Sequence, residues 1–168
     1  WAVIMLDEAF PYPEFSNWPR CAQLAPHAVA CAKHIERQEI VSEGAGRLLN
    51  QAGYYVHKRA NYATAEPLYK QALEIWRRAL GEEHPLFATS HNNLAALYES
   101  MGNYDAAEPL YQQAMEIRRR VLGEEHPDFA GSLNNLAELY RALGNYAAAE
   151  PLHKQALEIR RRAMGGEH

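Results

Sequence analysis

Only two cysteines, Cys21 and Cys31, occur among the 168 residues of the chain. Two cysteines are too few for the disulfide framework that stabilises small secreted domains. If both lie on one helix, their ten-residue separation places them roughly 15 Å apart along its axis, so they cannot pair with each other. The scarcity of cysteine indicates a reducing compartment, and we expect a cytoplasmic protein.

An excess of basic charge is also missing, because the formal net charge is −4. A surface that binds nucleic acid needs basic residues to neutralise phosphates, so we expect no nucleic-acid partner. The longest apolar run, residues 1–6, is far shorter than the roughly 20 residues that cross a bilayer. It also lacks the basic residues that begin a secretory signal. We therefore expect no membrane partner and no export signal.

Sequence motifs that carry catalytic chemistry are absent as well. The chain contains no G-x-x-x-x-G-K-[ST] loop to hold phosphates, no nucleophile elbow and no paired-carboxylate signature. The recurring histidines His84, His126 and His168 lie 42 residues apart, so we do not expect them to converge on one metal ion. We interpret the protein as a non-enzyme without cofactor or metal.

A 42-residue repeat is the strongest feature that is present. Residues 81–122 and 123–164 are identical at 29 of 42 positions, and residues 39–80 form a third copy whose first half has diverged. Residues 165–168 begin another copy and stop, and the chain starts at Trp1. We therefore expect a fragment of a longer protein, with a degenerate helical hairpin at residues 1–38 ahead of the three copies.

Each copy has the signals of two antiparallel helices. Gly123 suits the end of a helix, and Pro85 suits the first turn of the next one. Apolar residues at helical spacing predict a first helix from about Pro85 to Met101 and a second from Tyr104 to Leu122. In the head, we predict helices near residues 1–10 and 19–38, separated by two prolines. The expected fold is all-α, a solenoid of antiparallel helical hairpins.

The repeat resembles the tetratricopeptide repeat. The pattern is carried by Leu94, Ala95, Tyr98, Gly102, Tyr104, Ala107, Tyr111 and Ala114, and the next copy repeats it at Leu136, Ala137, Tyr140, Gly144, Tyr146, Ala149 and Ala156. The longer pattern, HP…NNLA.LY…GNY..AEPLY..A.EIR, resembles the repeats of kinesin light chain and of bacterial STAND NTPases, where they follow an NB-ARC module. The head sequence is similar to the junction in those NTPases. The resemblance implies a right-handed solenoid that serves as the interaction arm of a regulatory NTPase.

In such a solenoid the first helices line a concave face that binds a protein or peptide. The resemblance then implies a peptide-binding set of exposed first-helix residues: Arg47, Asn50, Tyr54, Lys58, Thr89, Asn92, Asn93, Ala96, Glu99, Asn134, Asn135, Glu138 and Arg141. The asparagines offer both a donor and an acceptor to an extended peptide backbone. Alternatively, they bridge neighbouring helices and contact no ligand.

The charges of this set suggest the kind of partner. Three basic residues, Arg47, Lys58 and Arg141, stand against Glu99 and Glu138, which predicts a slightly positive surface suited to an acidic or extended segment. A second hypothesis is structural, because stacking through exposed solenoid ends would build oligomers.

Overall fold

The computed structural model of the chain describes residues 1–165, which form eight α-helices and one short 3-10 turn. The helices are α1 (Ala2–Ala9), α2 (Trp18–Arg37), α3 (Glu43–Lys58), α4 (Tyr62–Leu80), α5 (Pro85–Ser100), α6 (Tyr104–Leu122), α7 (Pro127–Ala142) and α8 (Tyr146–Gly165), and the 3-10 turn is Phe15–Asn17. Within these described residues there is no strand, which confirms the all-α prediction. No described helix is both long enough and apolar enough to cross a membrane.

The helix pairs follow the repeat. The pairs α3–α4, α5–α6 and α7–α8 lie within residues 39–80, 81–122 and 123–165. The expected start of another copy at residues 165–168 lies, beyond Gly165, outside the described residues. The chain divides into two compact units, Trp1–Glu82 and the part that begins at Glu83.

Side chains that recur with the repeat determine where its helices begin. Asn61, Asn103 and Asn145 each accept a hydrogen bond at Oδ1 from the backbone N–H three residues later, which satisfies a free donor at the start of α4, α6 and α8. His84 and His126 do the same for α5 and α7, because each Nδ1 accepts from the N–H two residues later. The recurring histidines in the described residues are therefore helix caps.

The first unit contains the head and the first hairpin. Helix α4 packs on α3, and Trp76 of α4 is 1 % exposed. Its Nε1 donates to the carbonyl oxygen of Glu43 at 3.1 Å, and its ring occupies the space where a Cβ on Gly46 would lie. Helices α1 and α2 both pack on α3 as well as on each other. The head is thus an integral part of this unit.

The second unit contains two stacked hairpins, because α6 packs against α7. One core cluster joins Ala95, Ala107 and Tyr111 of the first hairpin to Leu136 and Leu139 of the second. A second cluster lies between α7 and α8 and consists of Phe129, Ala130, Leu133, Ala156 and Ile159. Met115 of α6 packs against both clusters. The apolar stripes of the repeat therefore bury one another across neighbouring helices.

Candidate peptide-binding surface

Asparagines link the first helices of the second unit. Asn135 of α7 donates from Nδ2 to Oδ1 of Asn92 on α5 at 2.6 Å. Within the described residues, neither amide makes another side-chain hydrogen bond, and both side chains are partly exposed. The bridge that we considered as the alternative role of the asparagines is thus present at this pair. Each amide still has one polar atom without a partner there.

Asn134 lies beside this bridge with its whole amide available. Its side chain is partly exposed and makes no hydrogen bond within the part of the chain that the structure describes. Asn134, Glu138 and Arg141 follow one another at helical spacing, so they share one face of α7. Asn93, one residue after Asn92, is partly buried. The expected row of amides therefore contains members with different surroundings.

A pocket of about 600 Å³ opens at the carboxyl ends of α5 and α7. It is lined by Glu99, Glu138, Arg141, Ala142 and Tyr146, so three residues of the predicted set meet there. The Glu138 carboxylate is 3.0 Å from Arg141 and 3.4 Å from His153. With His153 neutral, the pocket has two carboxylates and one guanidinium. Its charge is therefore negative, unlike the slightly positive surface expected from the whole predicted set.

Glu99 is oriented by a buried tyrosine. Tyr111 of α6 donates from its hydroxyl to Oε2 of Glu99 at 2.7 Å. Burial, with the Glu99 hydrogen bond and charge adding to it, raises the pKa of Tyr111, so the phenol stays protonated and remains a donor. One carboxylate oxygen of Glu99 is therefore engaged within the protein.

Two other predicted residues of this unit take part in packing. Thr89 donates from Oγ1 to the carbonyl oxygen of Pro85 and accepts from Arg118 of α6 at 3.4 Å. Ala96 packs against the cluster around Ala95 and Tyr111. These two side chains contribute to the seam between helices in addition to any exposed surface. Asn92, Asn134, Asn135, Glu99, Glu138 and Arg141 form what we call the first-helix surface of the second unit.

The predicted residues of the first unit lie under the head. Arg47 donates to both carboxylate oxygens of Asp7, at 3.0 and 2.6 Å, and lies 3.5 Å from Glu43. Tyr54 stacks on Tyr12, with 5.9 Å between ring centroids, and also carries Lys58 Nζ 5.2 Å from the centre of its ring. The basic charge of Arg47 is thus balanced inside the protein.

Asn50, the first-repeat member of the asparagine row, is only 8 % exposed. The acidic character of residues 1–19, with three carboxylates and no Lys or Arg, was a signal for pairing with a basic residue. It could not identify Arg47 as the partner of Asp7, because 40 residues separate them in sequence. Tyr12, Tyr111 and His153 were likewise not recognised as neighbours of the predicted set. Among residues 1–165, no group of three or more His, Cys, Asp or Glu side chains could hold a metal ion.

Comparison with solved structures gives the same fold. The crystal structure of BtubC (BKLC) from P. vanneervenii matches 92 % of this chain with a TM-score of 0.79 and 28 % identity, and this chain covers 61 % of it. A putative kinesin light chain from Podosopora anserina, described as having nearly identical TPR-like repeats, matches 96 % of this chain with a TM-score of 0.68 and 23 % identity. The present chain covers 83 % of that structure.

Comparison of sequences identifies the family. A nucleotide-binding leucine-rich repeat (NLR)-like protein from Hyaloscypha variabilis is 40 % identical over 84 residues, which is 50 % of this chain but only 8 % of that protein. The family model described as tetratricopeptide repeat matches residues 45–120 and 86–162. Together these matches cover well over half of the chain. The chain therefore belongs to the tetratricopeptide repeat family, whose members generally bind protein partners, and its structural neighbours carry repeats of the kinesin light chain type.

Proposed function

We propose that this tetratricopeptide scaffold holds an extended segment of a partner protein on the first-helix surface of the second unit. The observation that carries the proposal is the half-exposed amide of Asn134, which has no hydrogen-bond partner among the described residues. An amide can donate to a peptide carbonyl and accept from a peptide N–H. Beside it, the Asn92–Asn135 bridge leaves one further donor and one further acceptor.

The pocket at the end of this surface suggests the charge of the partner. A segment that lies along α7 passes from Asn134 to Glu138 and Arg141 within two helical turns. Two carboxylates and one guanidinium line the pocket, so a lysine or arginine side chain is the better electrostatic match there. The acidic segment expected from the sequence depended partly on Arg47, whose charge Asp7 and Glu43 already balance. An acidic partner remains the other outcome of the test below.

A display library of random peptides, selected against the chain, tests this function. Selected peptides should lose most of their binding to the Asn134→Ala variant, because a neutral hydrogen bond contributes about 1 kcal/mol, roughly a fivefold change in affinity. Lys154→Ala on α8 is a matched control, since Lys154 is exposed and pairs only with Glu150 on its own helix. Glu138→Gln should select against basic peptides. Peptides that bind all three variants equally would contradict the site.

We further propose that the chain is the sensor arm of a larger STAND-type regulatory NTPase. The support is the 40 % identity to the NLR-like protein, of which this chain covers 8 %. Binding of a partner to the repeats would then control the nucleotide state of a separate module. Sequencing the coding region around these residues tests the proposal. An NB-ARC module with a phosphate-binding loop upstream supports it, and a complete gene without one contradicts it.

A further inference from the structure

One face of α8 is exposed although the same face of α6 is covered. On α6, Met115 packs against two core clusters that include residues of α7, and Arg118 donates to Ser132 of α7 at 2.9 Å. The equivalent residues of α8, one repeat later, are Leu157 and Arg160. Leu157 is 69 % exposed and Arg160 is exposed as well. The repeat therefore carries a helix-docking face that no described residue covers on α8.

This face has a definite composition. Leu157, Arg160, Arg161 and Met164 follow one another at helical spacing, so they form one stripe, which we call the tail face. Met164 is 71 % exposed. Arg162 pairs with Glu125 and Glu158, whereas Arg160 and Arg161 have no ion pair within the described residues. The tail face is thus apolar and basic.

The head of the first unit offers a surface of the opposite charge. A groove of about 520 Å³ between α1 and α2 is lined by mostly apolar side chains, including Met5, Leu6 and Cys31. Met5 and the neighbouring Ile4 are 57 % and 60 % exposed. Glu8 is exposed one turn later on α1, a helix without a basic residue. We call the groove together with Ile4 and Glu8 the head face.

We propose that the tail face of one copy of this chain docks on the head face of a second copy. Both faces expose large apolar side chains of the kind that mark interaction sites, and the arginines of one complement Glu8 of the other. The two faces differ from each other, so the contact is heterologous and each copy can bind a further copy. The chain then associates head to tail. None of the residues of the first-helix surface takes part, so this inference is independent of the proposed function.

Sedimentation velocity tests the contact in the intact chain. The weight-average sedimentation coefficient should rise with concentration and continue beyond a dimer. Leu157→Asp and Met5→Asp should each weaken association by roughly tenfold or more, because each replaces a buried apolar contact by a carboxylate. Both positions are exposed in the single chain, so circular dichroism should show unchanged helix content. Met101→Asp, at an apolar position that is 46 % exposed outside both faces, should associate like the parent.

Mixing the two variants identifies the arrangement. Leu157→Asp retains its head face and Met5→Asp retains its tail face, so the mixture should form a one-to-one dimer that cannot grow further. A chain that stays monomeric at every concentration would overturn the proposal, with the two faces then left to other partners. Equal weakening by Met101→Asp would overturn it too. So would a mixture that remains monomeric, since the contact would then require two identical faces.

Discussion

Arg118 and Arg160 occupy the same position in successive repeats but have different surroundings. Arg118 of α6 donates to Ser132 Oγ at 2.9 Å, to the Asp128 carbonyl oxygen at 3.3 Å and to Thr89 Oγ1 at 3.4 Å. Burial lowers the pKa of its guanidinium, which nevertheless stays charged at neutral pH. Arg160 is exposed on α8. The pair allows one substitution to be compared in two environments within the same chain.

Replacing Arg118 by Ala should destabilise the second unit. Hydrogen bonds from a charged donor contribute about 1.5–3 kcal/mol in total to stability, and the two longer bonds are weak, so we expect a loss of about 2 kcal/mol. In a repeat protein this energy belongs to the interface between neighbouring hairpins. Arg160→Ala changes the same atoms on an exposed face and should remain within about 0.5 kcal/mol of the parent.

Urea denaturation followed by circular dichroism measures both variants. The Arg118→Ala transition should move to lower urea with the slope of the transition unchanged, because the exposed surface on unfolding stays the same. The reasoning would be refuted if Arg160→Ala destabilised the chain as much as Arg118→Ala. In that case the sequence of the repeat, and not the contact with α7, would determine the contribution of the arginine.

Three further predictions concern the core and the pH dependence of stability. Gly46→Ala should cost about 1–3 kcal/mol in urea unfolding, because the new Cβ would overlap the ring of Trp76. Gly131→Ala, on a helix where nothing lies within 4 Å of the new Cβ, should instead stabilise the chain by about 0.5–1 kcal/mol, and a loss of stability would contradict that open geometry. Burial, with a smaller contribution from Lys58, lowers the pKa of His57, so its stabilising effect is complete above the ordinary value near 6.5 and is lost as pH falls below it. The urea midpoint should therefore fall between about pH 7.5 and pH 5.5, and His57→Gln should reduce that fall; an equal fall in both proteins would exclude His57 as the source.

The helices of the repeat could be predicted because their signals are local. Proline at the first helical position and the capping residues mark the start of α5 at Pro85, where the structure places it. The predicted end at Met101 is one residue beyond the observed end at Ser100, since Met101 caps the helix. Even the degenerate head follows its prolines, with α1 and α2 close to the predicted ranges. These features depend on neighbours along the chain.

The contacts of the candidate surface depend on residues far apart in sequence. The Asn92–Asn135 bridge joins residues 43 positions apart, and its formation depends on how closely α5 and α7 approach each other. The repeat pattern shows which side chains leave the packing stripe, but it contains no measure of that distance. For the same reason the pattern could not show that Asp7 and Tyr12 lie against Arg47 and Tyr54.

Nuclear magnetic resonance with a peptide selected from the display library tests the binding proposal most directly. The side-chain amide signals of Asn134, Asn92 and Asn135 can be followed as the peptide is added to the labelled chain. Our account predicts saturable shifts at Asn134, smaller shifts at the bridged pair, and none at Leu157 on the tail face. Shifts confined to the second helices, with the Asn134 amide unchanged at saturation, would contradict a binding site on the first-helix surface.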